Sequence, residues 1–163
     1  MKYEEIFVGQ KETLSHKVTQ SDIEKFVDLS GDDNKLHVNK EFAAKTSFKK
    51  PVVHGLIGAS FISTIIGTKV PGDGALWFSQ TLEFLLPVRV GDEITVIAEV
   101  AKKIDRDRTI ELNVEIQNQN RQVVTRGVSK VKVLEELEKA VEEVKEEEEI
   151  LSPEEIADNV EDF

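Results

Sequence analysis

Cysteine is absent from the 163-residue chain, which excludes disulfides, thiolate nucleophiles and cysteine-based zinc sites. Histidine is scarce: His16, His37 and His54 are scattered without paired ligand spacing, so neither a metal site nor a cofactor is expected. No basic stripe interleaved with aromatics runs along the chain, which argues against a nucleic-acid surface. An apolar signal core is also missing, because Met1-Lys2-Tyr3-Glu4-Glu5 turns acidic at once. The expected setting is therefore cytoplasmic.

What is present fits one globular domain: 39% of residues are hydrophobic, and the length allows a single sizeable core. The net charge of −11 is unevenly placed. Residues 135–163 hold fourteen of the thirty-two acids and two of the twenty-one bases, leaving residues 1–134 near neutrality at +1. The expected organisation is a folded domain over residues 1–134 followed by an acidic tail.

Hydrophobic periodicity orders the first part. An N-terminal strand over about residues 12–18 leads into a helix capped by Thr19 or Ser21, with Glu24 three residues after Ser21. Ile23, Phe26 and Val27 share its buried face, and Gly31 suits its left-handed C-terminal cap. Asn39 caps a short helix carrying Phe42, Ala43 and Ala44, which leaves residues 32–38 as a tight loop. Residues 52–70 form the most apolar run, long enough to suggest a membrane span. His54, Gly55, Gly58, Gly67 and several hydroxyls make it poorly hydrophobic, so a helix buried inside the fold is expected and no membrane partner is. Past Pro71-Gly72-Asp73-Gly74 the period becomes two, predicting strands at about 76–86, 93–104, 109–117 and 122–134 in an antiparallel meander. The class is α+β: a curved sheet around one long helix.

The loop Gly31-Asp32-Asp33-Asn34-Lys35-Leu36-His37 places a carboxylate and an imidazole five residues apart across a turn. Two such groups can converge on one small molecule, one taking a proton while the other gives or takes a second. They could equally be a turn-capping aspartate and an ordinary half-buried histidine. Spacing alone leaves both readings open.

The same run resembles the signature of the MaoC-like (R)-specific enoyl-CoA hydratases, in which Gly-Asp-x-Asn is followed by proline, an aliphatic residue and histidine. Pro51-Val52-Val53-His54-Gly55 with Ser60 and Ser63 is similar to the start of that family's central helix. Pro71-Gly72 and residues 84–92 resemble its next strand and turn, so the likeness covers roughly residues 5–134. It implies a hot-dog fold, an acyl-CoA thioester as substrate, and a homodimer or higher homo-oligomer. Asp32 and His37 would be the catalytic pair, activating water for attack on C3 of a trans-2-enoyl-CoA and protonating C2 to give the (R)-3-hydroxyacyl-CoA. Gly55 would offer its backbone N–H to the thioester oxygen, with Asn34 and Ser63 in support, although Ser60 and Thr64 compete for Ser63's place. His54 is read as structural and His16 as solvated. Lys35 stands where the family usually has proline, which removes a stiffening ring from the loop.

Three other readings stay open. A 3-hydroxyacyl-ACP dehydratase would share the chemistry on carrier-protein thioesters, and a non-catalytic acyl-thioester scaffold or sensor would use the groove for binding alone. A thioesterase would leave the loop motif without a reason. In the tail, Leu134, Leu137, Val141, Val144 and Leu151 form a thin apolar seam and Ser152-Pro153-Glu154-Glu155 a fresh helix start. The segment is either a solvated, charge-repelling extension or a docking element for a protein partner.

Overall fold

The computed structural model describes residues 1–134, so the acidic segment 135–163 and the helices read in it lie outside the described residues. The chain runs β1 (Lys11–Lys17), α1 (Gln20–Ser30), α2 (Lys35–Val38), α3 (Lys40–Ala44), α4 (Gly55–Thr68), β2 (Ala75–Phe84), β3 (Glu93–Ile104), β4 (Thr109–Gln117) and β5 (Val123–Val133). All five strands form one antiparallel sheet, and α4 packs on β3 while also touching β1, β2, β4 and α1. This is the expected helix wrapped by a sheet. No helix among the described residues is long and apolar enough to cross a membrane.

The strand positions agree with the period-two pattern, but their order does not follow the chain. The sheet runs β1-β3-β4-β5-β2, so only β3, β4 and β5 form a meander. Strand β2 crosses to the far edge, where Leu82 pairs with Gly127 and Phe84 with Thr125, while β1 takes the place beside β3. Alternation reports which face of a strand is buried. It says nothing about which strand lies alongside.

The core lies between α4 and the concave face of the sheet. Ile62 and Ile65 of α4 are fully buried, as are Val96, Ala98 and Val100 of β3 and Ile110 and Leu112 of β4. Each large aliphatic side chain removed from water in this way contributes about 1.5–3 kcal/mol. Of the two expected caps of helix α1, Thr19 is the one used, in a reciprocal box with Asp22 and not Glu24, because strand β1 ends at Lys17 and leaves Thr19 extended. Residues 32–38 contain the single turn α2 as well as the loop, begun by the Asn34 side chain accepting from Leu36 N–H at 2.9 Å.

His16 is not solvated. It is half-buried, its Nε2 lies 2.9 Å from Asp22 Oδ2, and its ring packs 4.4 Å from that of Phe61. The alternation of β1 turns this side chain toward α1 and α4, which sequence polarity alone concealed. Burial pushes the Asp22 carboxyl upward, but hydrogen bonds from His16 and Thr19 outweigh it and hold Asp22 below its ordinary value.

Candidate active site

The site is built where the α1–α2 loop meets the start of α4. Helix α1 ends at Gly31, whose φ of 73° is the left-handed conformation that lets its N–H reach Val27 C=O at 2.8 Å. The chain then turns at Asp32, whose Oδ1 accepts from Asn34 N–H at 3.2 Å. That side-chain turn and the Asn34 cap after it give a short exposed loop two local fastenings. Lys35 is the first residue of α2. A first-turn N–H has no intrahelical partner, so lysine and proline leave the same bonds within the helix at this position.

His37 is carried inward by α2. Its Nδ1 lies 2.6 Å from the carbonyl oxygen of Val52, and since a carbonyl only accepts, Nδ1 carries the proton. Neutral His37 therefore presents an unprotonated Nε2. His54 caps α4 and is only 3% exposed. Its Nε2 donates to the main-chain carbonyl of Asp32 at 2.9 Å and lies 3.8 Å from Asp32 Oδ2. The two imidazoles stack with centroids 3.9 Å apart, and Phe26 of α1 covers His54 at 4.7 Å. Burial, with the neighbouring His37 adding to it, pushes His54 below the ordinary histidine range and keeps it neutral.

Sequence spacing gave no sign that His37 and His54 meet. One atom from each of Asp32, His37 and His54 falls within 4.8 Å of the others, close enough to consider a metal ion among the described residues. The hydrogen bonds weigh against that use. His54 Nε2 already donates to Asp32 C=O, and its Nδ1 is buried without a partner. A metal would have to break that bond to find a lone pair there.

Gly55 opens α4, where a helix's first N–H groups lack partners within the preceding turn. A Cβ on it would come within 2.5 Å of the half-exposed Phe84 ring, which would have to swing aside; glycine suits this close approach and no positive φ calls for it. Phe84 in turn walls an apolar cavity of about 330 Å³ that also includes His37, His54, Leu56, Leu86 and Ile116. A second cavity of about 470 Å³ also includes His37 and carries Lys40, Lys50 and Arg89 in a wall otherwise built of residues such as Ile23, Val38 and Val90. The Arg89 guanidinium is fastened to the main chain, donating to the carbonyls of Lys50, at 2.5 Å, Pro51, at 2.7 Å, and Phe48, at 3.0 Å. His37 thus lines both an apolar cavity and one with cationic side chains in its wall.

Of the residues singled out in the sequence, Asp32, His37 and Gly55 converge, and Asn34 supports the loop from outside. Ser63 does not join them: it is exposed on α4, two turns past Gly55, and lines neither cavity. His54, read from the sequence as structural, is the buried neighbour of the pair, and Phe84 is a wall of the cavity to which the sequence assigned no role. The signal available for His54 was its place directly before the glycine that begins the buried helix.

Comparison with known proteins gives the family. A 3-hydroxybutyryl-CoA dehydratase of Methylorubrum extorquens is 42% identical over 110 residues, covering 68% of this chain and 70% of that protein. An (R)-specific enoyl-CoA hydratase of Rhodospirillum rubrum is 43% identical over 98 residues, 60% of this chain and 68% of its own. Among solved structures, the (R)-hydratase from A. caviae involved in PHA biosynthesis superposes with a TM-score of 0.76 at 37% identity, over 79% of this chain and 98% of that one. The family model described as MaoC like domain matches residues 7–122, most of the folded part of the chain. On its fold, its loop and these relatives, the chain belongs to the MaoC-like domain family.

Proposed function

We propose that this protein is a hydro-lyase that reversibly hydrates trans-2-enoyl-CoA to (R)-3-hydroxyacyl-CoA, with Asp32 and His37 as the catalytic pair. The observation that carries the reading is the distance between them: polar atoms of Asp32 and His37 lie within 4.8 Å, a gap that one water spans with two hydrogen bonds of about 2.8 Å. The pair removes a proton from that water as its oxygen bonds to C3. The π electrons move toward the thioester oxygen, where the Gly55 N–H at the start of α4 meets the developing charge. A proton returned to C2 completes the addition of one water. The apolar cavity behind Phe84 takes the acyl chain, and the cavity with Lys40, Lys50 and Arg89 in its wall accommodates the carrier's anionic end. The test is the hydration of crotonyl-CoA followed by chiral analysis: an (R) product supports the reading, whereas no turnover, or an (S) product, overturns it.

One observation favours a second reading, a carrier-protein thioester. Lys40 and Lys50 line the second cavity, and Lys35, Lys45 and Lys49 of the same chain segment are exposed, a charge pattern that suits an acidic protein. Turnover of an acyl-carrier-protein substrate far faster than of the CoA ester would favour it.

The protein works as a homodimer or larger homo-oligomer. Leu56 and Phe84 edge the apolar cavity yet remain 56% and 54% exposed, the kind of apolar rim that association covers. A stable, active monomer by light scattering at micromolar concentration would count against this. Residues 1–134 form the folding unit, with the tail as an appendage available to a protein partner. A chain ending at Leu134 keeps its melting temperature and turnover; unfolding of that truncated chain would show that the boundary is misplaced.

A further inference from the structure

His54 lines the apolar cavity beside His37 and Gly55 and has no assigned step in the proposed reaction. Its Nε2–H holds the Asp32 carbonyl at 2.9 Å across 22 residues of sequence, and its ring stacks on His37 at 3.9 Å. Its own peptide is joined to Gly55. The other hydrogen bonds around Asp32 are local, from Asp32 N–H to Ser30 Oγ, Asp33 N–H to Gly31 C=O and Asn34 N–H to Asp32 Oδ1. The His37 end of the loop is tied to Val52 by two bonds, from Val52 N–H to Leu36 C=O and from His37 Nδ1 to Val52 C=O, whereas Asp32 itself is tied to the start of α4 through His54.

Packing alone would not call for an imidazole. His54 Nδ1 is buried with no hydrogen-bond partner, and a buried polar atom left unsatisfied destabilises a fold. A phenylalanine would fill the same slot against Phe26 and His37 without that cost. The donor at Nε2 is what only a polar side chain supplies here.

Building on the hydratase reading, we propose that His54 is the positioning residue of the site. Its neutral ring sets the Asp32 carboxylate at a fixed distance from the Gly55 N–H and braces one face of His37, so that base, imidazole and oxyanion donor share a single anchor. Displacing a reacting group by about an ångström costs on the order of a hundredfold in rate. The anchor therefore acts on kcat more than on KM.

Two variants separate the donor from the ring. His54→Phe keeps an aromatic face and removes the N–H; His54→Gln keeps an N–H and removes the ring. His54→Phe is expected to melt no lower than the wild type while kcat falls roughly 10- to 100-fold at nearly constant KM, and His54→Gln to recover much of the loss. Hydrogen exchange at the Asp33 and Asn34 amides, faster in the Phe variant than in the Gln variant, reports the same anchor without any substrate. Wild-type kcat and exchange in His54→Phe would overturn the proposal, as would a Gln variant no better than Phe. So would a wild-type rate abolished by chelator and restored by zinc, which would make the cluster a metal site. A wild-type protein that hydrates no enoyl thioester would instead defeat the functional reading, leaving the exchange result to judge the anchor.

Discussion

The α4–sheet core and the Asp32–His54 site are held by different physics. In the core, Ile62, Ile65, Val96, Val100, Ile110 and Leu112 are fully buried against one another, and the attraction is spread over many contacts that no single side chain controls. At the site, each fastening is a single directional bond: Asn34 N–H to Asp32, His37 to Val52, His54 to the Asp32 carbonyl. The consequence is an opposite sensitivity. Substitution in the core should cost stability and spare chemistry, and substitution at the site should do the reverse.

The sharpest test of that contrast is to replace each member of the pair. Asp32→Asn and His37→Gln should each lower turnover by roughly 10² to 10⁴ while the melting temperature stays near that of the wild type. If either purified variant kept wild-type rates, the mechanism would be wrong. The complementary change is Leu112→Ala in β4, a fully buried position away from both cavities. It should destabilise by about 2–5 kcal/mol, measured by urea denaturation, with activity per folded molecule unchanged. Lost activity in a well-folded Leu112→Ala protein would show that core and site are coupled.

Acid provides a subtler probe. His54 is held below its ordinary value of 6.5, chiefly by burial. Below that pH the unfolded chain binds a proton that the folded one refuses, so this contribution to stability is present above pH 6.5 and is lost as pH falls toward the folded value. The wild-type melting temperature should therefore drop between pH 7 and 5, and the drop should be shallower in His54→Gln. Parallel curves for the two proteins would mean that His54 titrates normally. The smallest expected effect is a gain. Lys35 opens α2 after Asn34 with ψ 126°, an extended residue of the kind that precedes proline. Lys35→Pro should stabilise by about 0.4–1 kcal/mol without loss of rate, and a lower melting temperature would show that the Lys35 N–H or side chain has a role.

How far the sequence could be read varies along the chain. The four strands after Pro71 lie within two residues of the positions read from alternation, because a sheet with one buried face writes its burial directly into a period of two. The loop motif pointed to Asp32, Asn34 and His37, and the likeness of residues 51–55 to a helix start pointed to Gly55; the fold brings these two segments side by side. His54 was legible as a structural residue but its bond to Asp32 was not, since the two are 22 residues apart and no local period links them. His16 was misjudged for a related reason: its polar neighbours in β1 are outward, and its inward contacts come from α1 and α4.

The sequence by itself determined the elements, the buried faces and the family of this protein, since these depend on residue chemistry repeated at short range. Only the tertiary structure decided that β2 runs beside β5 and not β3, that Phe84 closes over Gly55, and that His54 joins Asp32 to His37. Those are contacts between segments distant in the chain. They are fixed when α4 buries its apolar surface in the sheet, a collective minimum that no window of neighbouring residues encodes.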